Sequence, residues 1–152
     1  MPTCNKIEKR CFMPIQPDDI LFNKAAIIER CIRRIKEEYK ASPNCSDFTH
    51  VDAMTLNIER ACQAAIDIAM HLAAKQHLGI PQSSAEAFDL LAKADLINPE
   101  LCKAMRGMTG FRNVAIHQYE ELDLDILKHI AQAGYRDFIT FCRAVGVKIN
   151  DD

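Results

Sequence analysis

At 152 residues, with 49% hydrophobic and 26% charged side chains, the chain has the balance of one globular domain and is too short for two comfortable ones. A net charge of −2 carries no global basic signature for nucleic acid, although a local basic face can still steer an anion. No apolar run approaches the roughly 18–20 residues of a membrane span, and Lys6, Lys9 and Arg10 precede no apolar stretch of the kind a secretory signal carries.

Residues 1–17 show no sustained periodicity and are broken by Pro2, Pro14 and Pro17, which predicts a flexible extension; Met13 offers an alternative start. A first helix is predicted from about Asp19 to Lys40, with Asp18 or Asp19 as N-cap. Ile20, Ile28, Ile35 and Tyr39 fall on its apolar face, and Arg30, Arg33, Arg34 and Lys36 crowd the other. A second, the longest, is expected from about Val51 to His77, capped by Thr49 with Asp52 as a weak capping-box partner and stopped by Gly79. It carries an apolar stripe (Val51, Met54, Ile58, Ala61, Ala65, Ile68, Leu72) and a second stripe of Asn57, Arg60, Ala64, Asp67 and His71.

Ser83-Ser84-Ala85-Glu86 reads as a capping box opening a short helix from Ser84 to about Ala94. Asn98-Pro99 is a cap followed by proline at the first helical position, and the fourth helix it opens carries Leu101, Met105 and Met108 inward. Gly107 and Gly110 each cost that helix about 1 kcal/mol relative to alanine, so they suggest close approach of another helix. A fifth helix is predicted from about Asp123 to Val145. The pattern holds no β alternation and no repeat; it gives an all-α, up-and-down four-helix bundle with one additional short helix, spanning 18–148, with 149–152 as a tail.

The seven cysteines are odd in number and none are paired as C-x-x-C, so neither a disulfide framework nor a zinc site is expected. Cys31, Cys62, Cys102 and Cys142 read as small core residues in a reducing cytoplasm. His50, His71, His77 and His129 lack metal-ligand spacing, and no cofactor is called for.

Arg112-Asn113-Val114-Ala115-Ile116-His117-Gln118-Tyr119 concentrates more phosphate and acid–base chemistry than any other segment. At about 100° per residue, Arg112 and Tyr119 share one stripe of an ideal helix and Asn113 and His117 a neighbouring one. Arg112 and His117 stand about 140° apart, so a long arginine, a bend after Gly110 or a second copy of the motif from another subunit is needed to bring them around one substrate, and the last is expected. A histidine can move a proton to or from a ribose hydroxyl near neutral pH, and an arginine can hold a phosphate through two parallel bonds. RNA supplies its own nucleophile in the 2′-hydroxyl, so such a pair needs no metal. Ordinary surface and capping chemistry also accounts for an Arg/His/Tyr set near a helix end.

RNVAIHQY resembles the arginine–histidine signature of HEPN-domain ribonucleases, and more narrowly that of the HepT toxin branch. NIERACQAAIDIA on the second helix, LGIPQSS in the following loop and the order of helices extend the resemblance from about Ile20 to Val145. The resemblance implies a homodimeric helical bundle that cleaves RNA without metal. It also implies an antitoxin, a minimal nucleotidyltransferase of the MntA type, that transfers AMP onto the motif tyrosine. Carried over, Arg112 binds phosphate, His117 is the acid/base and Tyr119 is the modification site; Asn113, on the stripe of His117, is a supporting candidate from the spacing alone.

Asp67 is expected to pair with Arg112 or Arg60 and support the site; the alternative is that its whole stripe is a solvated face. Arg30, Arg33 and Arg34, with Lys103 and Arg106, are candidates for the RNA backbone, although Glu29, Glu37 and Glu38 dilute the first group. Two other readings stay open: a non-catalytic partner that presents Tyr119 to a nucleotidyltransferase, and a HEPN scaffold that binds RNA or nucleotide without cutting.

Overall fold

The computed structural model describes residues 15–151, and among these every regular element is helical. Helix α1 (Asp19–Ala41) is opened by Asp18, whose carboxylate accepts the Leu21 N–H at 3.0 Å. Helix α2 (Phe48–Lys75) starts three residues earlier than predicted, because Asp47 and not Thr49 is the cap: Asp47 accepts the Thr49 N–H at 2.9 Å. It also stops sooner. His77 adopts a left-handed conformation and lets the Leu78 N–H return to the Ala73 carbonyl at 2.9 Å, closing the helix before Gly79 is reached.

Helix α3 (Ser84–Lys93) has the predicted Ser83 cap, which accepts the Glu86 N–H at 3.1 Å. The Glu86 carboxylate reaches back to the N–H of Gln82, one residue beyond the usual capping box. Helix α4 (Pro99–His117) begins as expected, with Asn98 accepting the Leu101 N–H at 2.7 Å. Such a cap is worth about 1 kcal/mol.

The predicted last helix is two. After the Asp123 cap, α5 (Leu124–His129) runs into a π turn (Ile130–Gly134) before α6 (Arg136–Ala144). The Tyr135 N–H reaches the Ile130 carbonyl at 2.9 Å, five residues back, so one extra residue is accommodated without breaking the rod. Tyr135 and Ile139 are buried together with the predicted Phe138 and Phe141. An added Cβ at Gly134 would lie 3.6 Å from the Met108 methyl of α4, an ordinary van der Waals contact, so this buried glycine marks where the two helices meet without being required by their spacing.

The rods form the expected up-and-down bundle, with α2 packed against α1, α3, α4 and α6. Its centre is filled by Leu21, Ile28, Ile32, Ile35, Met54, Ile58, Ile68, Leu72, Phe88, Leu91, Phe138 and Phe141, all fully buried. Phe88 and Phe141 meet edge to face at 5.4 Å between centroids, a geometry worth about 0.5–1.5 kcal/mol beyond area burial.

Both predicted flanks need correction. Residues 1–14 of the expected extension lie outside the described residues, but Ile15 packs on the core and Pro17 lies against Gly146. The expected tail is docked: Ile149 is buried, the Asn150 N–H donates to Glu29 at 2.8 Å, and Lys36 reaches Asp151 at 3.0 Å. The five cysteines among the described residues are free and buried, as expected for core positions, with Cys45 added to the four named above.

Candidate active site

Helix α4 turns Leu101, Met105, Met108, Phe111 and Ala115 toward the core and is pinned to α2 where the Cys62 thiol donates to the Met108 carbonyl at 3.4 Å. Its opposite face carries Lys103, Arg106, Gly107, Gly110, Asn113 and His117, all exposed. Gly107 and Gly110 do not mark close packing within the chain, contrary to expectation, since a Cβ at either would meet nothing within 4 Å. The helix passes through both unbroken, leaving a smooth strip one turn before the motif.

Arg112 lies at the border of these faces, half-buried. Its Nε is buried without a hydrogen-bond partner, and its Nη1 donates only to the Asn113 side-chain oxygen at 3.4 Å. No carboxylate pairs with it among the described residues. The guanidinium is close enough to Cys62 to draw that thiol downward, but burial dominates and pushes the thiol up to about 12. The result is a half-buried cation near Cys62 of α2 with no carboxylate partner among the described residues. His117, the last residue of α4, is exposed and its imidazole makes no hydrogen bond or ion pair among the described residues. Among the described residues no hydrogen bond joins Arg112 and His117 within one chain, Arg112 being half-buried and His117 exposed five residues further along α4.

Tyr119 departs from the predicted stripe. Gln118 leaves helical geometry at φ −140° and ψ 46°, so α4 ends at His117 and Tyr119 opens a 3-10 turn (Tyr119–Glu121). The turn carries the ring back across α2, where the hydroxyl donates to Asp52. Burial first, and the Asp52 carboxylate second, push the phenol up to about 12, yet the side chain is still 43% exposed. Asp52 is the site contact missed from sequence: read as a capping-box partner, it is released from that role by the cap at Asp47.

Asp67 is not beside Arg112 or Arg60. It binds Lys24 of α1 at 2.9 Å and Gln63 at 2.8 Å, facing the α1 side of α2. The stripe to which it belongs is not a solvated face either. Asn57 is buried and donates back to the Ala53 carbonyl at 2.8 Å, Ala64 is buried, and His71 meets Asp18 of α1 at 2.7 Å. The Asp67 and His71 end of that stripe faces α1 through Lys24 and Asp18, while Arg60 remains exposed.

A family model, ribonuclease HepT-like, matches residues 26–145. The chain belongs to the HepT-like family. Over 125 residues, 82% of this HepT-like chain and 94% of the relative, it is 47% identical to the mRNA nuclease HepT of Shewanella oneidensis. A second relative, the tRNA nuclease HepT of Aphanizomenon flos-aquae, is 39% identical over 61 residues, 40% of this chain and 42% of the relative. The fold superimposes with a TM-score of 0.81 on the tri-AMPylated Shewanella oneidensis HEPN toxin in complex with MNT antitoxin, at 45% identity, covering 85% of this chain and 98% of that one.

The basic residues of this HepT-like chain are unequally available. Arg34 is held by Glu37 at 2.7 Å and Glu38 at 2.5 Å, and Arg106 clips α4 to Asp89 of α3 at 2.5 Å. Arg30 and Arg33 are exposed and form no ion pair among the described residues. They lie on α1, separated in sequence from the α4 motif. Among the described residues no group of His, Cys, Asp and Glu is arranged to hold a metal ion, and no helix is long and apolar enough to cross a membrane.

Proposed function

We propose that this chain is the toxin of a HEPN/MNT toxin–antitoxin pair, a cytoplasmic endoribonuclease whose Arg112 and His117 cleave RNA and whose Tyr119 is the site of inactivating AMPylation. The observation that carries it is the state of Arg112: a guanidinium on the motif helix with a buried, unpartnered Nε and no carboxylate to neutralise it. An arginine so placed is available to a phosphodiester and stabilises the charge that develops on the phosphorus oxygens. His117, exposed at the helix end, takes the proton from the ribose 2′-hydroxyl or returns one to the leaving 5′-oxygen. Because the nucleophile belongs to the substrate, the chemistry requires no metal.

Within one chain no hydrogen bond joins the two residues, and five residues of helix set them about 140° apart, so two copies set motif to motif supply the complementary pair. The exposed strip of Gly107, Gly110, Asn113 and His117 gives a second α4 room to approach. Tyr119 stands at the edge of the same helix end, partly exposed. An AMP group there places a bulky anion beside Arg112 and His117, blocking RNA and competing for the cation. The antitoxin that transfers it is a nucleotidyltransferase of the MntA type.

Incubating the purified protein with tRNA and with mRNA in EDTA, beside Arg112→Ala and His117→Ala, tests the reading. Cleavage by the unmodified chain that disappears in both variants is the expected result. Persistent cleavage in either variant, or none by unmodified wild type, overturns it.

A further inference from the structure

The Tyr119 hydroxyl is not free in solvent while it waits for modification. It donates to Asp52, five residues into α2, on the side of Tyr119 that faces the bundle. Thr55 also lies beside the phenol and donates its own hydroxyl proton to the Val51 carbonyl at 2.7 Å, while the phenolic proton is directed to the Asp52 carboxylate, the stronger base of the two. Asp52 has no competing ion pair among the described residues, and both it and the tyrosine are exposed.

We propose that Asp52 is the proton acceptor that activates Tyr119 for AMP transfer, so that the modified chain, and not only its transferase, supplies part of the catalytic machinery. This rests on Tyr119 being the AMPylated residue. As the phenolic oxygen attacks the α-phosphorus of a nucleoside triphosphate held by the transferase, an oxygen–phosphorus bond forms. The bond from that phosphorus to the bridging oxygen breaks, pyrophosphate leaves with the electron pair, and the phenolic proton passes to the Asp52 carboxylate and then to water. A base must lie within hydrogen-bond reach of the proton it removes, and Asp52 already does so before any partner binds.

The need for such a base follows from the environment. Burial and the carboxylate together push the phenol up to about 12, so the phenolate is scarce at neutral pH. Attack therefore requires the proton to leave during bond formation, to a group already in place. Asp52 makes ionisation in advance harder and transfer in the transition state easier, the usual division for a hydrogen-bonded base.

The test is the initial rate of AMP incorporation by the cognate MNT-type nucleotidyltransferase with magnesium and ATP, followed by intact mass from pH 6 to 10. The substrates are wild type, Asp52→Asn, Asp52→Glu and Tyr119→Phe, each checked for native helix content by circular dichroism. At pH 7, Asp52→Asn is expected to lose about 10²–10⁴-fold in kcat, the range of general-base catalysis, with KM for the toxin little changed. Its rate should then climb with pH toward wild type as hydroxide ionises the phenol, and Asp52→Glu should recover part of the loss. Equal rates for Asp52→Asn and wild type, or a deficit constant across the pH range, overturn the proposal while Tyr119→Phe, left unmodified, upholds Tyr119 as the target. If Tyr119→Phe is still modified, or wild type takes up no AMP, the assignment of Tyr119 fails and this inference with it.

Discussion

His71 Nε2 lies 2.7 Å from Asp18 Oδ2, and that carboxylate also caps α1 and meets Lys75 at 3.0 Å. One aspartate thus ties the start of α1 to the last turns of α2. The His71 bond first, then the Leu21 N–H and Lys75, hold the Asp18 carboxyl well below the usual carboxylate range. A carboxylate lowered in the folded state contributes stability that is fully present above its unfolded value, near 3.9. That contribution is lost as pH falls through the folded one. Asp18→Asn should therefore melt below wild type at pH 7, and the two curves should converge as pH is lowered from 4 to 2. Melting temperatures across pH 2–7 check this; a gap that stays constant at low pH contradicts it.

Arg112→Lys keeps the charge and loses the planar fork. If the fork matters, RNA cleavage should fall by about 10²–10³-fold, the cost of losing one oriented donor at a developing anion. Single-turnover cleavage rates at saturating RNA are the measurement, and a lysine variant within a few-fold of wild type would mean that charge alone suffices.

Two glycines should respond in opposite directions. A Cβ at Gly110 meets nothing within 4 Å, so Gly110→Ala should stabilise the chain by about 1 kcal/mol through helix propensity. Gly146 has φ +97°, and a Cβ there would lie 3.1 Å from Pro17 Cγ and 3.3 Å from the Ile15 carbonyl oxygen. Gly146→Ala should cost at least about 1–2 kcal/mol. Urea unfolding of both variants at low protein concentration, where association is minimal, reads the two signs.

The buried thiols should be inert while the chain is folded. Burial pushes Cys62 and Cys142 up to about 12, leaving almost no thiolate at pH 8. Iodoacetamide at that pH should spare both until denaturant is added, as peptide mass spectrometry would show. Rapid alkylation of Cys62 in the native protein would mean that the α2–α4 seam opens readily.

The bundle was legible where local chemistry decides: Asp18, Ser83 and Asn98 announce helix starts because their side chains satisfy the exposed N–H groups whatever the tertiary context. The π turn was not, because one residue added near Ile130 leaves the apolar spacing almost unchanged and only the Tyr135–Ile130 bond reveals it. Around the site, the sequence carried Arg112 and His117 through the motif and the family resemblance, but helix arithmetic extended α4 past Gln118, where no glycine or proline warned of its end. Asp67 was misassigned for a different reason. A carboxylate on a helix shows that it needs a cation, and which cation it finds depends on a neighbour 43 residues away.

Pro17 against Gly146 has a consequence for the order in which the chain can be written. The first packed segment meets the chain at Gly146, while Asp151 lies further along α1 beside Lys36, so a flexible linker from 151 to 15 that runs back along α1 can close the chain. The exposed 43–44 stretch between α1 and α2 then offers a place to cut it anew. Such a circular permutant would keep every helix and the motif strip of α4, and would move the free ends away from the docked segment at Ile149.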